Sequence, residues 1–183
     1  NHVKSKNANV ITENGLAAFL GEDGKLTAVK LQNGIELPCE LAVVAIGVNP
    51  NTKLARESGI AIGETGGILV DEYMQTSDKD IYAVGDCIEL PNLITGKKVL
   101  APYGDLANLQ GRVAGENATL GNSATFPGTI QTGICKVFEY AAGSTGLSEK
   151  AAKRLGYTDI ETVINASPDK PGFMQAKILV TKL

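Results

Sequence analysis

The rhythm of hydrophobic and polar positions changes several times along this chain. From residue 9 to residue 37, short apolar stretches alternate with polar turns. Residues 9–12, 15–20, 25–31 and 35–37 predict strands, and Asp23-Gly24 and Asn33-Gly34 lie between them. Both dipeptides tolerate the positive φ that tight hairpins demand. The stretch therefore predicts a small antiparallel β layer. Residues 1–6, which precede it, read as the end of a helix.

At residues 41–46 the alternation stops, and six consecutive apolar residues end at Gly47. A continuous run of this length predicts a strand buried on both faces. A short helix over 52–58 follows, with Asn51 or Thr52 as its N-cap. Residues 66–71 and 81–84 predict two further strands, the second stopping at Gly85-Asp86. A loop containing Pro91, Asn92, Gly96 and Pro102 comes next.

Residues 105–120 carry Leu106, Leu109, Val113 and Leu120 at helical intervals, which predicts an apolar stripe on an amphipathic helix closed by Gly121. Phe126-Pro127-Gly128 reads as a linker. Beyond it the pattern predicts β structure over 132–142, a helix over 149–155 between Ser148 and Gly156, and strands over 160–165 and 174–181. No internal repeat or low-complexity segment is present.

Composition narrows the function classes. A net charge of −3 with no basic cluster argues against an electrostatic nucleic-acid binder. No apolar run reaches the length that spans a bilayer, so no membrane partner is expected, and a cytoplasmic location is. Cys39, Cys87 and Cys135 are widely spaced and form no CxxC pair, which leaves neither a zinc ribbon nor a thioredoxin-type dithiol. His2 is the single histidine, so a serine or cysteine triad has no base within the chain.

The chemistry concentrates where the two buried strands are predicted to end in glycine, at Gly47 and at Gly85-Asp86. In open α/β sheets, ligands bind outside the carboxyl ends of strands. Glycine there lets a ligand approach the backbone, and an adjacent aspartate offers acceptors suited to sugar or ribitol hydroxyls. The helix starting near Tyr103–Leu106 can direct free N–H groups at an electron-rich atom. The competing reading is that Gly85-Asp86 is only a turn.

The wider context favours the ligand reading. In order along the chain come Ala45-x-Gly47-x-x-Pro50-Asn51, Gly66-x-x-x-Val70-Asp71, Gln75-Thr76-Ser77 and Tyr82-Ala83-x-Gly85-Asp86. This succession resembles the second FAD motif of the flavoproteins built from two dinucleotide-binding domains. The resemblance continues through 108–117 and through 136–149, which is similar to the start of the family's C-terminal dimerisation domain. Met74–Ser77 and Ser144–Leu147 resemble most the branch of NADH oxidases, NADH peroxidases and coenzyme A-disulfide reductases.

The resemblance implies an α/β fold: part of an FAD/NAD(P)-binding Rossmann-like domain followed by the start of an α+β dimerisation domain. Residues 1–38 would end the NAD(P)-binding domain, 39–125 form the second half of the FAD-binding domain, and 126–183 begin the dimerisation domain. It implies FAD as cofactor, NAD(P)H as the parent enzyme's substrate, and a homodimer for the full-length protein. Asp86 would accept hydrogen bonds from the ribitol chain, Gly85 would permit the approach, and Gly47 would close a strand near the cofactor. Pro102, Tyr103 and Leu106 would lie near the flavin ring, although Tyr103-Gly104-Asp105 departs from the family pattern.

No GxGxxG loop occurs in these 183 residues, and the redox cysteine of the family lies upstream of the motifs seen here. The chain is therefore expected to be a fragment, inactive alone, of an enzyme that passes electrons from NAD(P)H through flavin and a cysteine centre to a disulfide such as coenzyme A disulfide. Reduction of oxygen or peroxide is the alternative, and a non-catalytic dimerisation or interaction module is another. Cys39, Cys87 and Cys135 are read as packing residues, His2 and Lys97-Lys98 as solvated, and Phe138 and Tyr140 as sharing one face of a strand.

Overall fold

The computed structural model describes residues 2–183. The chain divides into two compact units, with the division between Asn49 and Pro50.

The first unit is the predicted β layer. β1 (Leu16–Glu22), β2 (Lys25–Leu31) and β3 (Glu36–Pro38) form an antiparallel meander in that order. Asp23 and Gly24, with φ of 51° and 76°, close the first hairpin. Residues 9–12 form no strand, and Lys4–Lys6 make one 3-10 turn. The helix end predicted over 1–6 lies partly outside the described residues.

The apolar run 41–46 corrects the sequence reading, because it is not a strand. Leu41, Val43 and Ile46 are 79%, 83% and 90% exposed. A strand buried on both faces needs ladder partners for its backbone as well as apolar cover. Among the described residues, none pairs with this run.

The second unit holds the core: Ile60, Ile68, Val70, Met74, Ile88, Leu90, Ala101, Ala114 and Phe126. Its central sheet joins β4 (Ile68–Leu69), β5 (Ile88–Pro91) and β6 (Lys98–Leu100), with β4 parallel and β6 antiparallel to β5. β4 is a short remnant of the strand predicted over 66–71. β5 was not predicted, yet Ile88, Glu89 and Leu90 are its nearly inaccessible centre. The Glu89 charge hid it, since a carboxylate in a buried strand needs dedicated donors. Thr65 supplies them from its N–H at 3.2 Å and its hydroxyl at 2.5 Å.

The strand predicted over 81–84 is likewise absent. That segment is extended but makes a single antiparallel bridge, Tyr82 to Gln75. Its backbone meets the facing turn through Ala83 N–H to the Met74 carbonyl and Thr76 N–H to the Ile81 carbonyl.

Two helices of this unit follow expectation. α1 (Lys53–Glu57) is the short helix, although the Thr52 hydroxyl bonds the Gly66 carbonyl instead of capping it. α2 (Gly104–Leu120) is the long one. Its buried face is only part of the predicted apolar stripe: Leu106, Val113 and Ala114 meet the core, whereas Leu109 and Leu120 are exposed. Gln110 and Asn117, which the apolar pattern did not mark, are buried beside them. The helix lies against irregular backbone whose polar groups need partners, and long amides serve that better than leucines.

Phe126-Pro127-Gly128 is also corrected, from linker to packed segment. Phe126 belongs to the core, and its N–H bonds the Glu72 carbonyl. Thr129 exchanges backbone hydrogen bonds with Pro91 and Leu93. A Cβ on Gly128 would meet the Pro91 oxygen at 2.4 Å.

The rest includes two antiparallel strand pairs, one α-helix and a 3-10 turn at Gly172–Met174. β7 (Gly133–Val137) pairs with β8 (Tyr140–Ser144), and β9 (Ile164–Pro168) with β10 (Ile178–Lys182), both antiparallel. Phe138 lies in the turn between β7 and β8 with φ 54°, so it does not share a strand face with Tyr140. α3 (Glu149–Arg154) starts at Ser148, whose hydroxyl accepts the Ala151 N–H as the cap pattern predicts.

Candidate functional site

Gly85, Asp86 and Cys87 form a 3-10 turn between the extended Val84 and β5. Gly85 takes φ +82°, a region that side chains rarely adopt. It also packs on α2, because a Cβ there would lie 3.6 Å from that of Ala107. The Gly85 N–H donates to the Gln110 side-chain oxygen at 2.7 Å. The turn is thus docked on the N-terminal half of α2.

This docking leaves the Asp86 carboxylate exposed. At the same helix, the Tyr103 side chain provides no cap. The N–H groups of Gly104, Asp105 and Leu106 therefore have no intrahelical acceptor, as at any helix start. Those donors carry the positive end of a 17-residue helix dipole. A free carboxylate on a turn and an uncapped helix start, both borne by α2, form a polar edge able to hold a ligand with hydroxyls and an electron-rich atom.

The other predicted residues fall as follows. Pro102 is exposed, while Tyr103 and Leu106 are half-buried and pack against the core. Tyr103 also borders an open, mostly apolar concavity of about 460 Å³ whose other wall is the β7–β8 hairpin, including Gly133, Cys135 and Gly143. Gly47, with φ 105°, belongs to the first unit. It does not close a strand, since 41–46 is not one.

Gln110 lies within the 108–117 stretch of the resemblance, which assigns it no role. Its signal was a polar residue at a helical position facing inward, which apolar periodicity discards. Cys87 is half-buried. Burial pushes its thiol up, a backbone hydrogen bond at Cys87 pulls the other way, and Asp86 adds to the rise. A thiol held protonated is a poor nucleophile, which fits packing rather than redox exchange. Among the described residues, no group of three or more histidine, cysteine or acidic side chains is arranged to hold a metal ion.

The sequence model of the pyridine nucleotide-disulphide oxidoreductases matches residues 1–100, more than half of this chain. The chain belongs to that family. Family relatives match it at length. An NAD(P)H sulfur oxidoreductase (CoA-dependent) of Pyrococcus furiosus is 40% identical over 143 residues, covering 78% of this chain and 32% of the relative. An NADH oxidase of Methanocaldococcus jannaschii is 36% identical over 151 residues, covering 82% and 33%. The structure of an NAD-dependent persulfide reductase from A. fulgidus superposes with a TM-score of 0.91 at 48% identity, covering 99% of this chain and 33% of that one. The chain thus spans about a third of the length of these family members. The α/β architecture is that of FAD- and NAD-binding oxidoreductases.

Proposed function

We propose that this chain is the part of an FAD-dependent NAD(P)H oxidoreductase that holds the ribityl side of the flavin. The single observation that carries the reading is the Gly85–Cys87 turn, which presents a free Asp86 carboxylate while docked on the uncapped helix α2. The residues fit the cofactor in kind. A carboxylate accepts from ribityl hydroxyls, a helix start favours negative charge, and Gly85 brings no side chain into the approach.

When bound, FAD supplies a two-electron carrier between nicotinamide and a cysteine-based centre. The chain's own residues bind and orient. Asp86 fixes the polyol through its hydroxyls. The N–H groups of Gly104, Asp105 and Leu106 lower the energy of negative charge placed before them. Pro102, Tyr103 and Leu106 border that position. In the net reaction, the hydride of NAD(P)H and one proton reduce a disulfide to two thiols, or a persulfide to a thiol and hydrogen sulfide, and NAD(P)+ is released. A sulfur acceptor is favoured by the names of the relatives at 40% and 48% identity.

Oxygen or peroxide as acceptor is the second reading, favoured by the NADH oxidase relative. We further propose residues 1–38, 39–125 and 126–183 as the end of an NAD(P)-binding domain, the second half of an FAD-binding domain and the start of a dimerisation domain. The full-length protein would be a cytoplasmic homodimer. Among the described residues, no helix is long and apolar enough to cross a membrane.

Titration of FAD with the chain, followed by flavin fluorescence, tests the reading. A saturable change that Asp86→Ala weakens roughly tenfold, the loss expected for one charged hydrogen-bond acceptor, supports it. No change, or an equal change in both proteins, overturns Asp86 as a flavin contact. Retention of flavin absorption after desalting would show a preorganised half-site.

A further inference from the structure

We infer that Gln110 is a positioning residue for Asp86, and that through Asp86 it sets how firmly the ribityl chain of the flavin is held. The inference rests on the flavin reading of Asp86 given above.

Gln110 is 1% exposed and sits in the second turn of α2. Its side-chain oxygen accepts the Gly85 N–H at 2.7 Å, the shorter end of the range for such a bond. Gly85 is the point at which the backbone swings from extended Val84, at φ −146° and ψ 164°, into the left-handed region. The bond therefore fixes the turn at its entrance, one peptide before the carboxylate. At its exit, the Ile88 N–H returns to the Gly85 carbonyl. Within the turn, the Cys87 thiol reaches the Val84 carbonyl at 3.4 Å. These two contacts are internal to the segment from Val84 to Ile88. Gln110 and the Ala107 contact tie it to the helix whose N-terminus serves the same ligand.

The choice of side chain follows from geometry and charge. Asparagine on the same helix position is one methylene shorter. Methionine matches the length but offers only a weak acceptor, leaving the Gly85 N–H without its partner. Glutamate keeps the acceptor oxygen. Gln110 touches the turn and nothing that reacts, so its effect on flavin must pass through Asp86.

The test is a double-mutant cycle of FAD affinity, read by flavin fluorescence, with hydrogen exchange of the Gly85 amide as a second readout. Gln110→Met is expected to speed Gly85 exchange and to weaken FAD binding roughly tenfold, as for loss of one buried hydrogen bond. Asp86→Ala with Gln110→Met should bind no more weakly than Asp86→Ala alone, because the two residues act in series. Gln110→Glu should restore slow exchange and most of the affinity, and it serves as the readable variant should Gln110→Met lose its helical circular dichroism. An unchanged affinity in Gln110→Met, or losses that simply add in the double variant, overturns the inference while leaving the flavin reading intact. Asp86→Ala binding like wild type overturns that reading, and the inference with it.

Discussion

The side-chain amide of Asn117 joins two segments that lie on either side of it in sequence, donating to the Tyr73 carbonyl at 2.9 Å and to the Ala124 carbonyl at 2.8 Å. Its oxygen accepts the N–H groups of Ser123 and Ala124, each at 2.9 Å. Asn117 is 1% exposed, so its own amide has these four partners in place of water. Asn117→Ala is expected to cost about 2–4 kcal/mol, from the loss of four hydrogen bonds made by one buried side chain. Asn117→Asp keeps the acceptor, loses both donors and faces two carbonyls with a carboxylate, so it should cost at least as much. The urea midpoint of each variant checks this.

Two glycines of the second unit should respond oppositely to alanine. A Cβ on Gly67 would fall 2.7 Å from the Glu89 nitrogen and 2.8 Å from the Ile88 carbonyl carbon, both backbone atoms of β5. Gly67→Ala should therefore destabilise by about 1–3 kcal/mol through overpacking. Gly115 lies within α2 with nothing within 4 Å of its would-be Cβ. Gly115→Ala should stabilise by about 0.5–1 kcal/mol through helix propensity. Thermal unfolding of the pair decides it, and a shift of the same sign in both would refute the steric account.

Glu149 ties α3 to β10. Lys153 donates to one carboxylate oxygen at 2.5 Å and Lys182 to the other. The hydrogen bond from Lys153, then that from Lys182, lower the Glu149 pKa from 4.5 to about 2. A lowered folded-state pKa means that the tie contributes fully above the unfolded value and is lost as pH falls toward the folded one. The window is therefore about pH 4.5 down to 2. A carboxyl-carbon NMR titration should place the Glu149 midpoint near the lower limit, and Lys182→Met should move it upward. A midpoint unmoved by that substitution would mean that β10 takes no part.

The cysteines should separate by reactivity. Cys135 is exposed on β7, whereas Cys87 is half-buried with its thiol pushed up by desolvation. Maleimide near neutral pH should label Cys135 well before Cys87, as followed by peptide mass spectrometry. Preferential labelling of Cys87 would contradict its protonated, packed state and would reopen a redox role.

Much of the local structure was legible in the residues. The Asp-Gly turn and the strands of the first unit follow from alternation and turn chemistry, which act over a few residues. So do α2, α3 and the Ser148 cap. The motif ending in Gly85-Asp86 marked the candidate site, and the structure explains part of its specificity. The Tyr82 hydroxyl donates to Asn122, whose amide donates to Gln75. The Asp71 carboxylate accepts the N–H groups of Tyr73 and Gln75. Several motif side chains thus build the loops that carry the turn, rather than touch a ligand.

By itself, then, the sequence determined the family, the helices with the Ser148 cap of α3, and the tight hairpins. Only the tertiary structure decided that 41–46 forms no strand, that β5 with its charged Glu89 is the buried centre, that Phe126 belongs to the core, and that α2 turns Gln110 and Asn117 inward. The reason is the range of the interactions. Caps and turns are satisfied by neighbours within a few residues. Strand pairing and the burial of polar groups depend on partners distant in sequence, such as Thr65 for Glu89 and Gly85 for Gln110. A hydrophobicity pattern records which residues prefer burial, but not which hydrogen-bond partners will be present to make the burial of a polar one stable.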